Sequence, residues 1–111
     1  MKEPVIVAEN GDVDIFESVE KAESYIEPID VKTGDNVFFD SEGKILQASI
    51  VKDSRGIERI VITDADEENY DRQKLRNILI DFLGYLNYSR QELEEMELPS
   101  LVIESLKFKT E

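Results

Sequence analysis

Cysteine and histidine are both missing from the 111 residues. Without cysteine there is no disulfide, no thiolate nucleophile and no zinc–thiolate site. Without histidine the commonest general base and the commonest metal ligand are gone. Every Ser-His, Cys-His and His-metal arrangement is excluded with them. Glycine is scarce: the five present stand singly and read as turn residues, so no glycine-rich phosphate loop exists. Long apolar runs are also missing. Met1-Lys2-Glu3-Pro4 leads into Val5 to Ala8, a run too short for a signal-peptide core and without its flanks. No segment is long enough to span a bilayer. The expectation is a soluble, cytoplasmic protein.

What the chain has in excess is acid. There are 26 acidic and 13 basic residues, a net charge of −13. Such a surface repels phosphates, which argues against nucleic acid, and against anionic membrane surfaces. It favours basic proteins and raises the rate of encounter with them. The competing reading is that acidity only keeps the chain soluble. The apolar fraction, 41%, is ordinary for a folded protein. At this length residues 1–111 read as a single domain, able to bury a core without disulfides or metals.

The period of the apolar residues changes along the chain. Pro4 to Ala8 reads as a strand, and Glu9-Asn10-Gly11-Asp12 as a tight hairpin turn, with Val13, Ile15 and Phe16 returning. Ser18 is placed to cap a short helix through Val19, Ala22, Tyr25 and Ile26, with Tyr25 in the core and Pro28 ending the helix. Ile29-Asp30-Val31 reads as extended linker or short strand. Val37-Phe38-Phe39, Lys44 to Lys52 and Ile57 to Thr63 read as strands joined by turns at Asp40–Gly43 and Asp53–Gly56. From Asn69 to Tyr88, Leu75, Ile78, Leu79, Phe82, Leu83 and Leu86 fall on one helical face, with Arg72, Lys74, Arg76, Asn77 and Asp81 on the wet side. Ser89 and Glu92 have capping-box spacing before a second helix near Arg90 to Met96. Leu101 to Phe108 reads as a last helix rather than an edge strand, with Pro99 at its start. The predicted fold is α+β: an antiparallel β-sheet of four to five strands with helices packed on it.

Two acidic clusters are the candidate partner-binding residues. The first is Asp64, Asp66, Glu67, Glu68, Tyr70 and Asp71; the second is Glu92, Glu94 and Glu95. The first begins like a calcium loop, but its sixth position is Asn69 and its twelfth Leu75, so it is not an EF-hand. Its bland reading is a solvated connector, with Asp71 or Asn69 capping the long helix. The second reads blandly as the exposed face of a short helix, although close like charges cost stability. An aromatic beside acids is what an interface hot spot often looks like, yet Tyr25, Tyr70, Tyr85 and Tyr88 each read first as ordinary packing. No catalytic residue, cofactor or metal site is indicated. Paired carboxylates are too common in so acidic a chain to mark an enzyme.

The stretch Phe16-Glu17-Ser18-Val19-Glu20-Lys21-Ala22-Glu23, continued by Tyr25-Ile26-Glu27-Pro28-Ile29-Asp30, together with the opening Pro4-Val5-Ile6-Val7, resembles bacterial immunity proteins. These are small antidotes encoded beside polymorphic toxins, including those of contact-dependent growth inhibition. Beyond that motif the likeness is one of size, charge and layout. The resemblance implies a cytoplasmic, non-enzymatic protein that binds one cognate toxin as a monomer in a heterodimer. Toxins of this kind are often nucleases with basic clefts, a ribonuclease being the favoured example, and an acidic antidote would stand where phosphate binds. The alternative is an acidic regulatory adaptor or inhibitor domain for another basic protein.

Overall fold

Asn10 and Gly11 both adopt positive φ, 45° and 92°, and so close the tight hairpin that the Asn-Gly pair predicts. They join β1 (Val5–Glu9) to β2 (Asp12–Phe16) in the register Ala8↔Val13, Glu9↔Asp12. The computed structural model in which this is seen describes residues 1–65 and 68–110. Ser18 then caps α1 (Val19–Tyr25), its Oγ accepting the Lys21 N–H at 3.2 Å. Pro28 does not merely end a helix, as the sequence suggested. It occupies the first turn of α2 (Pro28–Thr33), where its missing N–H costs nothing and its fixed φ suits the helix. Ile29-Asp30-Val31 is therefore helical, not extended, and Gly34 terminates it at φ 74°.

Three strands follow: β3 (Val37–Phe39), β4 (Ile45–Lys52) and β5 (Glu58–Asp64). They complete a five-stranded antiparallel sheet in the order β2-β1-β3-β4-β5. The chain ends with α3 (Arg72–Tyr85), α4 (Arg90–Glu95), α5 (Leu98–Ser105) and a 3-10 turn, Leu106–Phe108. The last segment is thus helical. Gly84, expected at a turn, lies inside α3.

Helices cover both faces of the sheet, which makes three layers. Val5, Val7, Phe16, Phe38, Leu46, Ile60 and Ile62 pack with Ala22 and Ile26 on one side. Ile6, Ile15 and Phe39 pack with Leu75, Leu79, Ile80, Leu83, Leu93, Leu101 and Val102 on the other. The central strands β1 and β3 are buried on both faces, and this accounts for the unbroken run Val5-Ile6-Val7. Ile80 is buried although it lies off the α3 stripe, because α5 packs on α3 beside the sheet. Leu86, at the end of that stripe, is exposed. Tyr25, expected in the core, is 52% exposed with its ring 5.3 Å from that of Phe16. It follows Ala22 by three residues but is the last residue of a seven-residue helix.

Both outer strands are partly closed by the chain itself. At β2, Ile15 N–H donates to Thr110 Oγ1 at 3.3 Å, and Thr110 N–H donates to the Ile15 carbonyl at 2.7 Å. At β5, Ile62 N–H donates to Glu23 Oε2 at 2.7 Å. Such devices reduce unintended strand pairing.

Candidate partner-binding surface

The first acidic cluster is largely engaged with its own chain. Asp64 closes β5, with Oδ1 3.2 Å from Lys44 Nζ and Oδ2 3.3 Å from the Met1 amino group. The Lys44 hydrogen bond holds the Asp64 carboxyl below the usual carboxylate range, and Asp64 in turn raises the Lys44 ammonium above its ordinary value. Tyr70 forms an isolated antiparallel bridge with Lys44, and the Arg72 guanidinium lies 4.5 Å from the centre of its ring. Asp71 caps α3 by accepting the Lys74 N–H at 3.0 Å. Glu68 is exposed and has no hydrogen bond or ion pair among the described residues. Asp66 and Glu67 lie outside the described residues.

The second cluster is freer. Ser89 Oγ caps α4 by accepting the Glu92 N–H at 3.5 Å, but among the described residues the Glu92 carboxylate takes no return bond from the Ser89 N–H, so only half of the expected capping box forms. A helix of six residues cannot hold itself in water. Two anchors fix α4: the fully buried Leu93, and Arg76 of α3. The Arg76 guanidinium donates to the carbonyl of Met96 and, at 2.6 Å, to that of Glu94. A cation there satisfies terminal carbonyls and opposes the negative end of the helix dipole. Spacing alone put Arg76 on the wet face; it is half-buried. Arg90 pairs with Asp81 at 3.0 Å and with Glu94 at 3.3 Å. Glu92, Glu95 and Glu97 are exposed, and their carboxylates have no partner among the described residues.

Tyr85, the last residue of α3, is 86% exposed and lines a depression with Arg90 of α4. It separates two shallow depressions, of about 430 Å³ against Asp81, Tyr88 and Arg90, and about 490 Å³ against the β1–β2 turn, Phe82 and Leu86. Tyr85 falls outside the apolar stripe of α3. Helical geometry could have located it, since two residues put it about 200° round α3 from Leu83. Among the described residues no hydrogen bond or ion pair joins the two acidic clusters. Arg72 and Arg76 stand one turn apart on α3 between them, about 6 Å along the axis. Among the described residues the surface is therefore two patches: Glu68 with the partly exposed Tyr70 in one, and the exposed Glu92 and Glu95 of α4 with Glu97 in the other.

The segment carrying the resemblance does structural work. Phe16, Ala22 and Ile26 are buried, Ser18 caps α1, Pro28 starts α2 and Glu23 holds the β5 edge. No family model, no curated protein and no solved structure matches the chain. Among the described residues no helix is long and apolar enough to cross a membrane.

Proposed function

We propose that the chain is an immunity protein that binds a cognate bacterial toxin and blocks its basic active-site cleft, a ribonuclease being the foremost candidate. Its action is occlusion, and no bond is made or broken by this chain. The observation that carries the reading is the α4 surface: Glu92, Glu95 and Glu97 are exposed with no carboxylate partner among the described residues, and Arg90 of the same helix lines a depression with the exposed Tyr85. A carboxylate with no partner in the free protein gains a cation on binding without losing one. Asp64 would first have to give up Lys44. Tyrosine is a favoured interface anchor because it brings a large rigid face and a hydroxyl together. Glu68 and Tyr70 then serve as a rim.

Under this reading the gene follows directly after a toxin's C-terminal coding region, and the chain rescues cells expressing that toxin. Glu92→Lys with Glu95→Lys should slow association by about ten-fold at low salt, and the deficit should shrink as salt is added. The same change at Glu68 alone should do less. Failure to rescue with both proteins folded would discard the antidote in favour of an adaptor for another basic protein.

A further inference from the structure

The sheet is stepped between β3 and β4. β4 has eight residues and β3 only three, so the two pair at Phe38↔Leu46 and Phe39↔Ile45 and no further. Two hydrogen bonds fix which way β4 points its main chain. Asp40 N–H donates to the Lys44 carbonyl at 2.9 Å at one end, and Asp53 N–H donates to the Ile57 carbonyl at 3.0 Å at the other. Antiparallel alternation then turns Gln47, Ser49 and Val51 toward β5. It turns Ala48, Ile50 and Lys52 the other way, past the end of β3. Among the described residues no hydrogen bond reaches the outward N–H and carbonyl groups of these three. Ala48 and Ile50 are half-buried and Lys52 is exposed.

A depression of about 390 Å³ opens at the step, its walls including Val31, Asn36, Val37, Phe38, Leu46 and Ala48. On the opposite face of β4 from Ile50, Val51 is 39% exposed. Acids outnumber bases 26 to 13 in this chain, yet Lys52 and its neighbour across the hairpin, Arg59, have no ion pair among the described residues. The two acids of the hairpin are already engaged, Asp53 with Arg55 at 3.3 Å and Glu58 with Lys32 at 3.0 Å.

We infer that the free half of β4 receives a short extended segment of a partner protein, antiparallel to β4 and in line with β3, with β-branched residues against Ala48, Ile50 and Val51 and a carboxylate opposite Lys52. Main-chain bonds to Ala48, Ile50 and Lys52 supply affinity, and the side chains supply selection. The residue opposite Ala48 enters the depression, and β-branched side chains suit a pleated, half-buried surface. The carboxylate gives Lys52 the cross-strand partner that its own chain does not. A second copy of this chain is a poor occupant. Pairing two free halves would drive the Asp53–Gly56 turn of each copy into the step at Asn36 of the other. The site shares no residue with the α4 surface and does not rest on the antidote reading. Failed rescue leaves it standing, and failed peptide binding leaves the α4 surface standing.

The test uses the full chain and the peptide acetyl-Glu-Val-Val-Thr-Val-amide, followed by amide chemical shifts and hydrogen exchange. Shifts and slowed exchange should centre on Ala48, Ile50 and Lys52. Exchanging the peptide's glutamate for lysine should weaken binding about two- to five-fold, the range of an opposite-charge pair across strands. Lys52→Glu, at an exposed position, should reverse that preference. The peptide N-methylated at its third and fifth residues, whose N–H groups would face β4, should lose binding. Equal binding of the N-methylated form would overturn strand addition, as would shifts centred on α4 or Tyr85, or no shifts at all. Slowed exchange at Ile50 that grows with the concentration of the chain alone would make the occupant a second copy and end the proposal.

Discussion

Replacing Asp40 by alanine should cost more stability than any surface change on this protein. Asp40 is 2% exposed. Its Oδ1 accepts the N–H groups of Glu42 at 2.8 Å and Lys44 at 2.9 Å, and its Oδ2 accepts that of Lys2 at 3.1 Å. A hydrogen bond to a charged group contributes about 1.5–3 kcal/mol. Three would sum to roughly 4.5–9 kcal/mol, less the cost of burying the carboxylate. A net loss of about 3–5 kcal/mol is expected, as for breaking other buried ionic arrangements. Asp40→Asn keeps one acceptor oxygen for Glu42 and Lys44 but turns an amide toward the Lys2 N–H, so about 1–2 kcal/mol should go. The consequence reaches the first acidic cluster through the same turn. Asp71 N–H donates to the Gly43 carbonyl at 2.9 Å, and Ile45 N–H to that of Asn69 at 2.7 Å. Equilibrium urea unfolding at neutral pH measures the loss. With a slope of about 1–3 kcal/mol/M, the alanine midpoint should fall by about 1 M or more. Amide exchange at Ile45 and Asp71 should quicken. An alanine variant within about 0.5 kcal/mol of the parent, the range of ordinary surface substitutions, would refute the reasoning.

Gly43→Ala should cost about 2–4 kcal/mol, since φ is 85° and a Cβ would meet the Arg72 Cα at 2.9 Å. Gly56→Ala, at φ 80° with open space around it, should lose only about 1–2 kcal/mol; equal losses in thermal melts would discount the Arg72 contact. Arg76→Met should release the end of α4 and speed amide exchange at Met96, whose N–H bonds the Leu93 carbonyl. Arg76→Lys should recover only part, because an ammonium cannot fork between two carbonyls. Hydrogen bonds from Lys109 and then Lys21 hold the Glu17 carboxyl at about 2, down from 4.5. A depressed carboxylate stabilises the fold above its unfolded value and loses that contribution as pH falls. Glu17→Gln should therefore narrow the Tm difference from the parent between about pH 4.5 and pH 2, with added salt shrinking the gap at neutral pH. A gap independent of pH across that window would show that Glu17 contributes no charge-linked stability.

Local features were legible in the chain. The Asn10-Gly11 turn, the Ser18 and Ser89 caps, the alternation of Leu46, Ala48 and Ile50 and the α3 stripe each depend on a few neighbouring residues. Their φ and ψ preferences and side-chain periods are set within a turn or two of backbone. Together with the lack of cysteine and histidine and the excess of acid, they determined an acidic antiparallel α+β protein. Tertiary structure decided what those features face. It set β1 between β2 and β3, covered both sides of the sheet, buried Ile80 and left Tyr25 and Tyr85 outside. It also divided the acids. Asp64 meets the amino group of a residue 63 positions away, and Glu23 meets an N–H 39 positions away, while Glu92 and Glu95 meet no such partner among the described residues. Whether a carboxylate is available to bind is a property of what packs beside it, and neighbours that distant in sequence are chosen only when the whole chain folds.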